Sequence, residues 1–106
     1  FHSKEMEIVQ DADRLDAIGA IGIARAFSFG GNKGREMYNP NIPVQEYKDK
    51  EAYKHSEAPT INHFYEKLLL LKNKMNTEAA KKIAAHRHDY MLNFLDEFMA
   101  EWNGKK

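Results

Sequence analysis

The chain has 106 residues, and its sixteen lysines and arginines balance sixteen aspartates and glutamates, so the formal net charge is zero with histidine neutral. That balance excludes the electrostatic footprint of an extended nucleic-acid surface and of a polybasic membrane anchor. With no cysteine there are no disulfides and no thiolate metal sites, and the longest apolar run, Leu68 to Leu71, is far too short to span a bilayer.

Residues 1 to 5 read as the end of a preceding loop or helix. The chain opens on Phe1 rather than methionine and runs almost at once into an apolar helical pattern, so it is expected to be a piece of a longer protein. His2 and Glu5 lie near that helix, although a histidine there is more commonly a surface residue than a ligand. From Glu7 to Arg25 no proline intervenes, and the pattern predicts one helix of about five turns. On such a helix Asp13 lies one turn from Val9 and Ala17 and two turns from Ala20 and Ile21, among small or apolar neighbours. Asp11 shares its surroundings with Glu7, Arg14 and Leu15 and is expected to reach solvent or to pair with Arg14. An ionised carboxylate in apolar surroundings is unfavourable unless a cation, a metal or several hydrogen bonds compensate it. Asp13 therefore calls for a partner: an internal salt bridge, a helix to cap, or a metal ion. Gly19 and Gly22 each cost ~1 kcal/mol relative to alanine in a helix interior, which implies close packing against another helix.

Between Phe29 and Pro59 the composition changes, with Gly30, Gly31, Gly34 and all three prolines of the chain. A long connection is expected over 29–59, either a solvated mobile loop or a functional lid or binding loop, with a short helix within 45–55. Its Gly30-Gly31-Asn32-Lys33-Gly34-Arg35 stretch has the composition to present backbone amides and the cations Lys33 and Arg35 to a phosphate, without the Walker spacing.

A second helix is expected after Pro59 with Thr60 as N-cap. Ile61, Phe64, Leu68, Leu71 and Met75 recur at three- and four-residue steps and form its core stripe. His63, Glu66 and Lys67 fall off that stripe, with His63 and Lys67 four apart on one face. Residues Met75 to Thr77 break the helix, and Thr77 caps a third one. Its buried stripe is Ala80, Ile83, Ala84, Met91, Phe94, Leu95, Phe98 and Trp102, and Gly104 ends it. The dipeptide His88-Asp89 within His86-Arg87-His88-Asp89 looks like a metal motif, but two histidines flanking an arginine point in different directions on a helix. Arg87, near the buried stripe, is expected to pair with an acid at the core edge.

Asp11-Ala12-Asp13-Arg14-Leu15-Asp16-Ala17-Ile18-Gly19, preceded by Glu7-Ile8-Val9-Gln10, closely resembles the last motif of the HD-domain metal-dependent phosphohydrolases. Phe29-Gly30-Gly31-Asn32-Lys33-Gly34-Arg35, His63-Phe64-Tyr65-Glu66-Lys67-Leu68, Met75-Asn76-Thr77-Glu78-Ala79-Ala80-Lys81 and Glu101-Trp102-Asn103-Gly104 follow in an order similar to the C-terminal half of a longer bacterial subgroup of that family. The resemblance implies an all-α fold, with residues 1–106 the C-terminal part of a single HD-type helical bundle built from three main helices and a long loop. It implies that Asp13 is the closing ligand of a divalent metal. The family's other ligands, a histidine and an adjacent His-Asp pair, precede that aspartate, and this chain lacks them.

Imidazole and oxygen ligands suit Mn, Mg, Fe, Co or Zn. Such a metal activates water and polarises a phosphoryl oxygen, and the implied reaction is hydrolysis of a phosphate ester or anhydride, with nucleotides or other phosphorylated small molecules as substrates. Asp16 is then expected to hold a ligand or water beside the metal, and Lys33, His63 and Lys67 to face the substrate phosphates. By itself the chain is expected to be inactive, cytoplasmic and able to form homo-oligomers. The competing expectation is a non-catalytic helical interaction module whose buried acids form only internal salt bridges.

Overall fold

The computed structural model describes residues 3–44 and 58–106. Among them are four α-helices and one 3₁₀ segment, with no strand, so the all-α expectation holds. Helix α1 spans Lys4–Leu15. It begins where the Ser3 hydroxyl accepts the amide of Met6 at 3.0 Å, and Glu5 and Glu7 in its first turn and Arg14 in its last suit the helix dipole. His2 and the short helix expected within 45–55 lie outside the described residues.

The single helix expected from Glu7 to Arg25 is two. The chain leaves α1 through the turn bonds of Ala17 N to Arg14 O at 3.1 Å and Ile18 N to Leu15 O at 3.3 Å. Ile18 is extended, Gly19 takes φ +79°, and α2 then runs Gly19–Asn32. Glycine alone enters that left-handed region without strain. A Cβ at Gly19 would also lie 2.9 Å from Arg87 Cγ, so the close packing expected of this residue is present. At Gly22 the nearest obstacle is the preceding Ala17 backbone, 2.4 Å from a built Cβ, rather than a neighbouring helix.

Helix α2 closes on its glycines. The amide of Arg35 donates to Gly30 O at 2.8 Å and that of Gly34 to Gly31 O at 3.0 Å, with Gly34 at φ +72°. This is a Schellman closure. The amides proposed for phosphate are therefore spent on helix carbonyls, and only the side chains of Lys33 and Arg35 remain for that role. The connection that follows is tied down by hydrogen bonds over its described part, although most of its side chains stay exposed. Thr60 N and Ile61 N donate to Glu36 O and Met37 O, each at 2.9 Å, and the buried Asn62 amide donates to Ile42 O at 3.1 Å and Pro43 O at 3.3 Å.

Helix α3 covers Thr60–Glu66. Pro59, not Thr60, stands at its cap, and proline has no side-chain oxygen to cap the helix; the Thr60 amide, now inside the first turn, donates to Glu36 O. At Lys67 the backbone turns to φ −141°, ψ −54°, and residues Leu68–Lys74 continue as a 3₁₀ segment. The stripe Ile61, Phe64, Leu68, Leu71 and Met75 is nonetheless buried throughout. Helix α4 spans Glu78–Trp102, with the Thr77 hydroxyl accepting the Ala80 amide at 3.1 Å as expected. It ends in a second Schellman closure, Lys105 N to Ala100 O at 2.8 Å with Gly104 at φ +74°.

The core gathers Ile18 and Ile23 with the α3 stripe and Ala80, Ala84, Met91 and Leu95 of α4. Phe27, Phe64, Phe94 and Phe98 pack around it with ring centroids about 6 Å apart. Tyr38 from the connection meets Trp102 edge-on at 5.1 Å. Two residues assigned to the α4 stripe are half exposed, Ile83 at 43% and Trp102 at 48%. No described helix is long and apolar enough to cross a membrane.

Candidate functional site

The two aspartates of α1 exchange the environments expected for them. Asp13 is exposed, and Asp11 is only 3% exposed. Asp11 is not bare. Its Oδ1 accepts the Asn76 amide at 2.7 Å, and its Oδ2 accepts the Thr77 amide at 2.9 Å and the Thr77 hydroxyl at 2.8 Å. Burial pushes the Asp11 carboxyl up, but these donors and the Arg14 charge outweigh it and hold the group below its ordinary value. Asn76 returns its own side-chain amide to Glu7 O at 3.2 Å and Gln10 Oε1 at 3.1 Å, and Arg14 donates to Lys74 O. Asp11 thus fastens α1 to the start of α4.

Among the described residues no acid pairs with Arg87. The arginine donates to Leu15 O at 2.8 Å, the end carbonyl of α1, while its stem lies against Gly19. Asp16, at the exposed end of α1, lines an open cleft of about 480 Å³ with Ile21, His86, Arg87 and Tyr90. Its backbone carbonyl accepts Arg25 Nη1 at 3.3 Å.

Arg25 belongs to a second cleft, of about 210 Å³, between α2 and the start of α3. Gly22, Arg25, Phe29 and Gly30 contribute one face of α2, and Arg35, Thr60 and His63 face it. Among the described residues, none of those lining it is an acid. Burial, with the charges of Lys67 and Arg35, pushes the His63 imidazole down to about 4, so it is neutral near pH 7. Lys33 Nζ and Arg35 Cζ stand 5.7 Å and 5.4 Å from the centroid of the Phe29 ring, within cation–π range.

The structure therefore brings His63 and Arg35 into one cleft with the charge of Lys67 close by and Lys33 at its Phe29 wall, and leaves Asp13 apart on α1. The sequence reading passed over Arg25, although it is the one charged side chain within Gly19–Asn32 and shares a helical face with Gly22 and Phe29. Among the described residues no group of three or more histidines, aspartates or glutamates could hold a metal ion. These residues do not by themselves make a metal site.

No family model matches the sequence. YpgQ of Bacillus subtilis is 47% identical over 93 residues, which cover 88% of this chain and 38% of YpgQ. A crystal structure of a Lactobacillus plantarum protein superposes with a TM-score of 0.91 at 52% identity, covering 98% of this chain and 49% of that one. An HD-superfamily hydrolase from Bacillus thuringiensis gives a TM-score of 0.78 at 56% identity over 95% of this chain and 47% of its own. YpgQ crystallised in complex with ADP gives 0.74 at 41% identity over 93% and 44%. The chain spans less than half the length of YpgQ and about half that of the other two. Over that span it has the HD-domain hydrolase-like fold.

Proposed function

We propose that the chain forms part of a metal-dependent phosphohydrolase that acts on nucleotides or related phosphate esters and anhydrides. The observation that carries this reading is the 56% identity to the HD-superfamily hydrolase of Bacillus thuringiensis over 95% of the chain. The complex of YpgQ with ADP supports a nucleotide as ligand. In this reading Asp13, exposed on α1, contributes one carboxylate to a divalent cation held mainly by residues beyond those described. Asp16, one turn further on, orients a ligand or water beside it. Lys33, His63 and Lys67 face the substrate phosphates, with His63 acting as a neutral hydrogen-bonding group rather than a cation.

The test is made on the intact protein. Asp13→Ala abolishes Mn²⁺-dependent release of phosphate or pyrophosphate from nucleoside triphosphates while the helical circular dichroism is retained. Lys67→Ala raises KM roughly ten-fold, the size expected for losing one charge-assisted phosphate contact. Full activity in Asp13→Ala would reject the assignment of that residue, and the absence of any metal-dependent hydrolysis in the wild type would favour a non-catalytic helical module.

A further inference from the structure

The cleft between α2 and α3 is built like a receptor for a small anion. Arg25 and Arg35 both line it, one from α2 and one from the end of the Schellman closure that follows α2. Arg25 is held at the rim by a single bond to Asp16 O at 3.3 Å, which occupies one donor and leaves the rest of the guanidinium fork available. The buried Thr60 and the partly buried His63 add a hydroxyl and an imidazole to the same wall.

The glycines set the shape. A Cβ on Gly30 would sit 2.1 Å from Thr60 Oγ1, so only glycine lets α2 approach α3 this closely. Among the described residues the lining holds two arginines and no carboxylate, a set of groups that suits an anion better than a metal cation. The volume of about 210 Å³ is below the ~300–1,000 Å³ of sites that enclose a whole drug-sized ligand. What fits is one anionic group on a larger molecule, or a free anion. Guanidinium forks match the oxygens of a phosphoryl group in pairs.

We propose that this cleft is a phosphoryl-binding site, with Arg25 and Arg35 as its two cationic ligands and Thr60 and His63 as neutral donors. It needs no metal and no turnover. It rests on the hydrolase reading only for which phosphorylated molecule carries the group.

The experiment is calorimetric titration of the 106-residue chain with sodium pyrophosphate and with ADP, both in excess EDTA. Arg25→Gln and Arg35→Gln each weaken pyrophosphate binding about ten-fold or more, and Lys82→Gln, an exposed lysine outside the cleft, changes it less than about two-fold. Pyrophosphate also protects Arg25 and Arg35 of the unmutated chain from phenylglyoxal, read by mass spectrometry, which requires no variant to fold. Binding of ADP tighter than that of pyrophosphate assigns the seat to a nucleotide's phosphates, and equal binding assigns it to the free oxyanion. Absence of pyrophosphate binding, equal losses in all three variants, or modification of both arginines undiminished by pyrophosphate overturns the site. Because metal is excluded throughout, these results are independent of whether Asp13→Ala abolishes hydrolysis.

Discussion

Asp11 and Asp13 stand two residues apart on one helix and answer to different physics. Asp11 loses its hydration but gains three donors, two of them amides at the start of α4. Asp11→Ala should therefore lower the urea midpoint of the chain clearly, and Thr77→Ala should cost ~1–2 kcal/mol by removing the helix cap, while Asp13→Ala should leave the midpoint unchanged. Chemical denaturation followed by circular dichroism checks all three. Helical spacing revealed which residues neighbour Asp11 along α1, but not which face turns inward, because Asn76 and Thr77 lie 65 and 66 residues away. A period of 3.6 is blind to partners at that separation.

His63 makes the fold sensitive to mild acid. Its imidazole titrates at about 4 when folded and at the ordinary 6.5 when unfolded, so between those values the unfolded chain binds more protons. The stabilisation is fully present above pH 6.5 and is lost as the pH falls towards 4, amounting to ~3 kcal/mol at most. Asp11 acts in a lower window: its folded value is depressed, so its contribution fails only as the pH drops below the ordinary carboxylate value of 3.8. His63→Gln should flatten the unfolding free energy between pH 6.5 and 4 and leave the lower transition in place. A wild-type stability that does not vary across that interval would contradict the buried, neutral state of this imidazole.

At the scale of elements, the helices were legible and their interruptions were not. Stripes of apolar residues identified α3 and most of α4, and Thr77 and Gly104 marked the two ends of α4. The break after α1 escaped notice because Asp16, Ala17 and Ile18 are all compatible with a helix, and only Gly19 hints at a change of direction. Its φ of +79° and the Arg87 stem beside it make that glycine a conformational requirement. Gly19→Ala should destabilise the chain by ~1–3 kcal/mol, whereas Gly31→Ala, with open space around its Cβ, should be neutral or slightly stabilising. Urea midpoints of the two variants test this contrast. The cationic cleft was half legible for a related reason: Lys33, Arg35, His63 and Lys67 stood out as local clusters, but Arg25 joins them only once α2 is laid against α3.

For the molecule as a whole, the informative feature is apolar surface that the described residues leave uncovered. Ile8 and Val9 on α1 are 56% and 60% exposed and Ile21 on α2 is 69% exposed, and Ile21 shares the larger cleft with the half-exposed Tyr90 of α4. Single exposed apolar residues are ordinary, but several on successive helices, one of them lining a cleft of about 480 Å³, make a surface that tends to be buried in an interface. The related solved chains are about twice as long over the same fold; in the 106 residues taken alone, a surface of this kind is open to whatever polypeptide meets it, including another copy. The 106-residue chain should therefore show a concentration-dependent increase in mass by light scattering at neutral pH, where zero net charge offers no long-range repulsion. Ile21→Lys places a charge on the lining of that cleft without touching the buried core, and should shift the chain towards the monomer at unchanged helicity. Leu92→Lys, at a position 41% exposed on α4 and outside both clefts, is the control and should not. Equal dissociation by both substitutions would locate the contact elsewhere, and a wild-type chain that stays monomeric at high concentration would mean that this apolar surface is too divided to drive association.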